Sequence, residues 1–311
     1  MDKKALIYSV SGIGNTISSL PLINALFELN YKIDIALDFR RNAQQIYLAH
    51  PQITNVFDIS TQYNFKFKKY DDVFHCSYCD KPMVTSELHS AKNHTIPPFC
   101  NPPEIVRFSF EKHEADYFLD MARNVGWNGT VKQVLPYIDT SIDIPKNCIC
   151  ISTGYFKGDV NSKTKHWGNK NFINLALTIY NKGYIPLFLG NQEDWESDAK
   201  FIVSEIQKTN PSIPLHFYNQ NLLESYGILN KCIAYVGNET SMVPAAAALD
   251  KPTISLIFKD VHKHLFAPVK NHPFPNGLAI ICEKNNISIN WLVDKLITRI
   301  NGDKVERIIY L

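Results

Sequence analysis

Short apolar runs alternate with stretches of helical spacing along most of the chain. Ala5 to Val10 is such a run; it ends in Ser11-Gly12-Ile13-Gly14-Asn15-Thr16 and passes into an amphipathic stretch from Ile17 to Leu29. Strand, glycine-rich turn and helix are predicted in that order, and the apolar run Tyr31 to Leu37, which ends at Asp38, completes a βαβ unit of a parallel sheet. Val73 and Phe74 close another short strand. His113 to Val125 carries apolar residues at Ala115, Phe118, Leu119, Ala122 and Val125, a helical spacing that stops at Gly126.

Residues 136–146 read PYIDTSIDIPK, with a proline near each end and no helical period, and are expected to link two domains. The alternation then restarts. Strands are predicted at Cys148 to Ser152, Tyr184 to Leu189, Cys232 to Val236 and Thr253 to Phe258, with helices at Asn171 to Asn181 and Val243 to Leu249. Apolar positions at Ile289, Leu292, Val293, Leu296, Ile297 and Ile300 predict a last amphipathic helix capped by Ser288. The fold class is therefore α/β, with two alternating halves in 311 residues.

Charge narrows the function little: 32 basic against 30 acidic side chains is too balanced for a dedicated nucleic-acid binder. Seven scattered cysteines fit a reducing, cytoplasmic setting, and no run approaches the roughly 18 apolar residues of a spanning helix, so stable membrane insertion is not expected. Peripheral contact with the inner membrane face is left open, as is the oligomeric state.

Three loops are candidates for chemistry. At Gly12 and Gly14, glycines before a helix let backbone N–H groups approach a polar ligand. A dinucleotide site there, with Asp38 on a ribose, would need a third glycine where Ile17 stands, which disfavours a dehydrogenase. The loop from Thr153 to Trp167 brings Lys163 and Lys165 to the carboxyl edge of a sheet, where they could neutralise a diphosphate or simply be solvated. After the strand ending at Val236, Glu239, Thr240 and Ser241 open an Ala-rich helix, either as caps or as phosphate contacts.

A fourth cluster, His75, Cys76, Cys79, His89, His94 and Cys100, contains a CxxC knuckle. Structural zinc at Cys76 and Cys79 is chemically reasonable, yet the spacing fits no standard ribbon, and free thiols are the preferred reading. No metal or other cofactor is expected.

The strings VGNETSMVPAAAALDKPTISLIF, STGYFKGDVNSKTKHWGNKNFINLA, VSGIGNTISSLPLINAL and HEADYFLDMARNVGW, in that family's order, resemble glycosyltransferase family 9, the ADP-heptose:lipopolysaccharide heptosyltransferases and their relatives. The resemblance implies a GT-B architecture: an acceptor-binding Rossmann-like domain over residues 1–140, a nucleotide-sugar-binding one over 146–288, a cleft between them, and a helix and tail over 289–311 packing back toward the first. It implies an enzyme that moves a sugar from a nucleotide-diphosphate donor, ADP-sugar first, to an acceptor hydroxyl on a saccharide or another hydroxylated polymer. By the same resemblance Lys165 contacts phosphate, Ser152 and Thr153 lie near the phosphates, and Gln192, or alternatively Glu193, falls where a nucleotide contact is expected. Glu239, Thr240, Ser241 and Met242 match the segment around the diphosphate and sugar, and Gly12, Gly14 and Asn15 form the acceptor-side loop.

Three departures bear on chemistry. Asn15 stands where the family carries a catalytic aspartate, and a carboxamide accepts no proton at useful pH. Glu239 replaces an aspartate and Pro244 replaces a histidine near the sugar, which leaves the sugar and the nucleotide open. His75 is the expected substitute base, with Asp38 and Asp80 as rivals. The alternative is a catalytically silent nucleotide-sugar-binding protein.

Overall fold

A computed structural model describes residues 3–9, 12–39, 43–60, 69–76, 93–95, 114–130, 135, 138–154, 166–213, 216–219, 221–258, 277–282, 287–303 and 308–310. The chain divides between residues 136 and 137 into two compact units. In the first, the described elements are β1 (Lys3–Ser9), α1 (Ile13–Glu28), β2 (Tyr31–Leu37), α2 (Gln44–Leu48), β3 (Ile53–Asp58), β4 (Asp72–His75), β5 (Asn93–Thr95) and α3 (Glu114–Asn124). Their strands form a parallel sheet in the order β3-β2-β1-β4-β5. The buried run of β1 explains its continuous apolar sequence: both faces of a central parallel strand are covered. Helix α3 ends as its sequence indicates, with Gly126 at φ 102° after the last turn, a conformation open to glycine.

The second unit contains β6 (Cys148–Ser152), α4 (Asn169–Asn181), β7 (Ile185–Gly190), α5 (Gln192–Asp194), a π-helical turn at Trp195–Ala199, α6 (Lys200–Thr209), β8 (His216–Asn219), α7 (Leu222–Lys231), β9 (Ala234–Asn238), α8 (Met242–Ala248), β10 (Thr253–Phe258), β11 (Gly277–Cys282), α9 (Ile289–Ile300) and β12 (Ile308–Tyr310). Its strands are all parallel, in the order β12-β11-β10-β9-β6-β7-β8. Strands β6 and β10 are buried throughout. The core joins Ile149, Ile151, Phe172, Phe188, Val236 and Leu256.

The segments at both ends of this unit are packed into it. Residues 138–142 do not behave as a free linker. Thr140 is buried, its hydroxyl donates to Glu224 on α7, and Lys231 Nζ donates to Thr140 O at 2.6 Å and Ile142 O at 3.0 Å. The last helix buries its apolar stripe within this unit: Leu292, Val293 and Leu296 lie in its core, and β12 extends the second sheet. Among the described residues no helix is long and apolar enough to cross a membrane.

Candidate functional site

In an open parallel sheet the chain leaves every strand at the same edge, and a crevice forms where successive connections turn to opposite sides. In the second sheet that point lies between β6 and β9, because β6 leads toward β7 and β9 toward β10. The ladder between β6 and β9 ends at the pair Ser152 and Gly237. Gly237 has no alternative there: a Cβ would sit 2.5 Å from Ser152 O and 2.8 Å from the Tyr235 hydroxyl. That phenol is fully buried, and burial pushes its pKa up, so it stays protonated.

Beyond the ladder, Asn238 carries the contact between the two exits. It is wholly buried; its Nδ2 donates to Thr153 O at 2.9 Å and Gly154 O at 3.3 Å, while Oδ1 accepts from Trp167 N at 3.3 Å. Trp167 is in turn clamped in the core, edge-on to Phe172 at 5.4 Å and stacked on Phe258 at 6.4 Å. His166 Nδ1 accepts from Gly168 N at 3.2 Å, which leaves the other ring nitrogen facing Asp198 at 3.8 Å. The residues that follow Lys165 are thus pinned on both sides, while Lys165 itself lies outside the described residues.

Ser152 and Thr153, at the exit of β6, are buried; after β9, Glu239, Thr240 and Ser241 are half-buried and Met242 is buried. Thr240 Oγ1 accepts from Met242 N at 3.3 Å, and Ser241 makes no capping bond with its side chain. Capping therefore falls to Thr240.

Gln192 and Glu193 are exposed on α5, and Gln192 Nε2 donates to Glu196 at 2.8 Å. The acid drawn toward the crevice is Asp194. Its carboxylate fills the space over two glycines, so that a Cβ on Gly154 would meet it at 2.5 Å and one on Gly190 at 2.8 Å. It also closes a capping box with Asn191. Asp194 and Asn238 are not singled out by the sequence reading; the glycines at 154 and 190, which leave room for the Asp194 carboxylate, are the signal that points to Asp194.

The first sheet has its own reversal between β1 and β4. Tyr8 and His75 are register partners there, and their rings stack at 5.2 Å with planes 10° apart. His75 is the last residue of β4 and is buried, so it is not the loop residue expected; burial pushes its imidazole down to about 4, and it is neutral at pH 7. The glycine segment is likewise corrected. Helix α1 begins at Ile13 with Gly12 as its cap residue, which places Gly14 and Asn15 in the first helical turn instead of a loop. Thr16 N donates back to Gly12 O at 3.1 Å, so helical bonding starts immediately after the cap. Below that turn, Ser19 Oγ lies 2.8 Å from the Tyr47 hydroxyl, whose pKa burial pushes up to about 12.

Asp38 is half-buried just past β2, and Asp80 lies outside the described residues, as does Cys79. Cys76, the other half of the knuckle, is buried. Among the described residues no cluster of His, Cys, Asp and Glu is arranged to hold a metal ion.

Residues 138–286 match the family described as Glycosyltransferase family 9 (heptosyltransferase). No curated protein matches the chain in sequence. Its fold is shared with solved structures at low identity. The E. coli heptosyltransferase WaaC with ADP is 13% identical, with 95% of this chain and 99% of that one covered and a TM-score of 0.69. A family 9 glycosyl transferase from Veillonella parvula is 15% identical, with coverage of 97% and 98% and a TM-score of 0.70. The E. coli ADP-heptose lps heptosyltransferase II is 14% identical, with coverage of 96% and 98% and a TM-score of 0.67.

Proposed function

We propose that the chain is a heptosyltransferase-like glycosyltransferase of family 9 type, which moves a sugar from a nucleoside-diphosphate donor, an ADP-sugar first, to a hydroxyl of a saccharide acceptor. The observation that carries this reading is the reversal of strand order between β6 and β9: Ser152 and Thr153 stand at the exit of β6 and Thr240 with Ser241 follow β9, all inside the segment that matches the family. A related fold solved with ADP supports the choice of nucleotide.

In this proposal the acceptor oxygen bonds to the anomeric carbon as the bond from that carbon to the diphosphate breaks, and the acceptor proton passes to a base. Charge grows on the departing nucleoside diphosphate. Fixed hydroxyl donors and the Lys165 ammonium are assigned to it, because donors already held in place stabilise developing charge without reorganising. No resident metal is needed for that step.

On the acceptor side, Asn15 is assigned to orienting the hydroxyl, since its carboxamide donates and accepts hydrogen bonds without taking the proton. His75 is assigned as proton acceptor. Its neutral form is fully populated at pH 7, at the cost of low basicity. A second reading, a silent nucleotide-sugar-binding protein, is favoured by one residue, Asn15 in place of the expected aspartate.

A thermal-shift screen with ADP-, UDP-, GDP- and CDP-sugars tests both, because a ligand that binds only the folded state raises Tm. The transferase reading expects a shift with one nucleotide class and release of that nucleoside diphosphate on addition of acceptor glycans. A shift with no release under any acceptor or hydrolytic condition favours the silent protein, and no shift with any of the four rejects both.

A further inference from the structure

We infer that Asn238 is a positioning residue for the donor diphosphate, one that sets the gap between the exit of β6 and the segment following Lys165. The inference rests on the donor-site reading given above.

The orientation of the carboxamide is dictated by its neighbours. The carbonyls of Thr153 and Gly154 can only accept and the Trp167 amide can only donate, so Nδ2 faces the first two and Oδ1 the third. No other side chain of this size offers a donor and an acceptor in that arrangement. Aspartate lacks the donor, and an apolar residue would remove all three hydrogen bonds from a buried site.

Two consequences reach the crevice. With no backbone ladder beyond Ser152 and Gly237, the two exits would separate at the reversal point, and Asn238 ties them together one residue further. Its Nδ2 also draws the Thr153 and Gly154 carbonyls to itself, which takes two partial negative charges out of the face that an anionic diphosphate approaches. Meanwhile Oδ1 fixes Trp167, two residues after Lys165, against a core in which Trp167 is already packed.

Binding of ADP to the full-length wild type, Asn238→Ala and Asn238→Ser, titrated calorimetrically well below each Tm, separates positioning from mere support. Asn238→Ala is expected to weaken ADP at least about tenfold while near-UV circular dichroism is retained, with Asn238→Ser, whose hydroxyl restores a donor, in between. Affinity within about twofold of wild type in a folded variant whose Tm has dropped overturns the inference and leaves Asn238 as structural support. Hydrogen exchange in the wild type supplies a variant-free check: saturating ADP is expected to slow the Trp167 amide, and an unchanged rate overturns the inference. Absence of ADP, UDP, GDP or CDP binding by the wild type itself sinks the donor-site reading, and this inference with it, before any variant is made.

Discussion

At the scale of single residues, the account depends on a few side chains whose surroundings leave no choice. Gly237 is one: its missing Cβ is the space taken by a backbone oxygen and a phenol, neither of which can retreat freely. Gly237→Ala is expected to cost about 2 kcal/mol or more in urea unfolding, as overpacking a filled site does. His50 and His75 are another pair. Both are buried, burial holds both near pKa 4, and His50 Nδ1 accepts from Gln52 N at 3.3 Å, a bond available only to the neutral ring. On acidification the unfolded chain takes up these protons first, at about pH 6.5, so the stability they allow is full above that pH and lost as pH falls toward 4. Each contributes up to about 3 kcal/mol to that loss. Replacing His50 with Gln is expected to flatten the decline in Tm between pH 7 and 4.5; an equal slope in wild type and variant contradicts the burial argument. For catalysis, a His75 base predicts an acid limb in kcat/KM near pH 4, whereas a limb near 6.5 would point to another group.

At the scale of elements, legibility follows burial. Strands β6 and β10 were read to the residue, because a central parallel strand is apolar on both faces and its run is bounded by polar residues. Helix α9 was equally clear from its apolar stripe and Ser288, which accepts from Trp291 N. Strand β3 was missed: ITNVFD mixes exposed and half-buried positions, so its sequence has no continuous apolar run. Helix α7 was missed for a different reason. Its buried side includes Ser225, Tyr226 and Gly227, and Gly227 is small because the Thr140 side chain and the Asp139 backbone lie against it, a tertiary demand with no local period. The start of that helix is set by Asn221, whose side chain accepts from Glu224 N at 3.0 Å. Asn221→Ala is expected to cost about 1 kcal/mol, measured by chemical denaturation. Of the site, the exits of β6 and β9 were legible from chain position alone, whereas Asn238 and Asp194 depend on neighbours far away in sequence.

At the scale of the whole molecule, two parallel sheets each offer one reversal of strand order, and the residues with candidate chemistry gather at those two places. The first carries the stacked pair Tyr8 and His75 and the opening turn of α1; the second carries the hydroxyls and the Asn238 tie. Division of labour follows as a proposal, with acceptor chemistry in the first unit and donor binding in the second. Turnover is expected to survive EDTA unchanged, since the proposed charge stabilisation uses a lysine and hydroxyls; abolition by EDTA with recovery on adding a divalent ion would contradict it. The most direct test of the central claim is a calorimetric titration of ADP into wild type, Lys165→Ala and Asn15→Ala. The account predicts a single site whose heat disappears in Lys165→Ala and persists in Asn15→Ala, and a titration in which Asn15→Ala loses the site while Lys165→Ala keeps it would contradict the account.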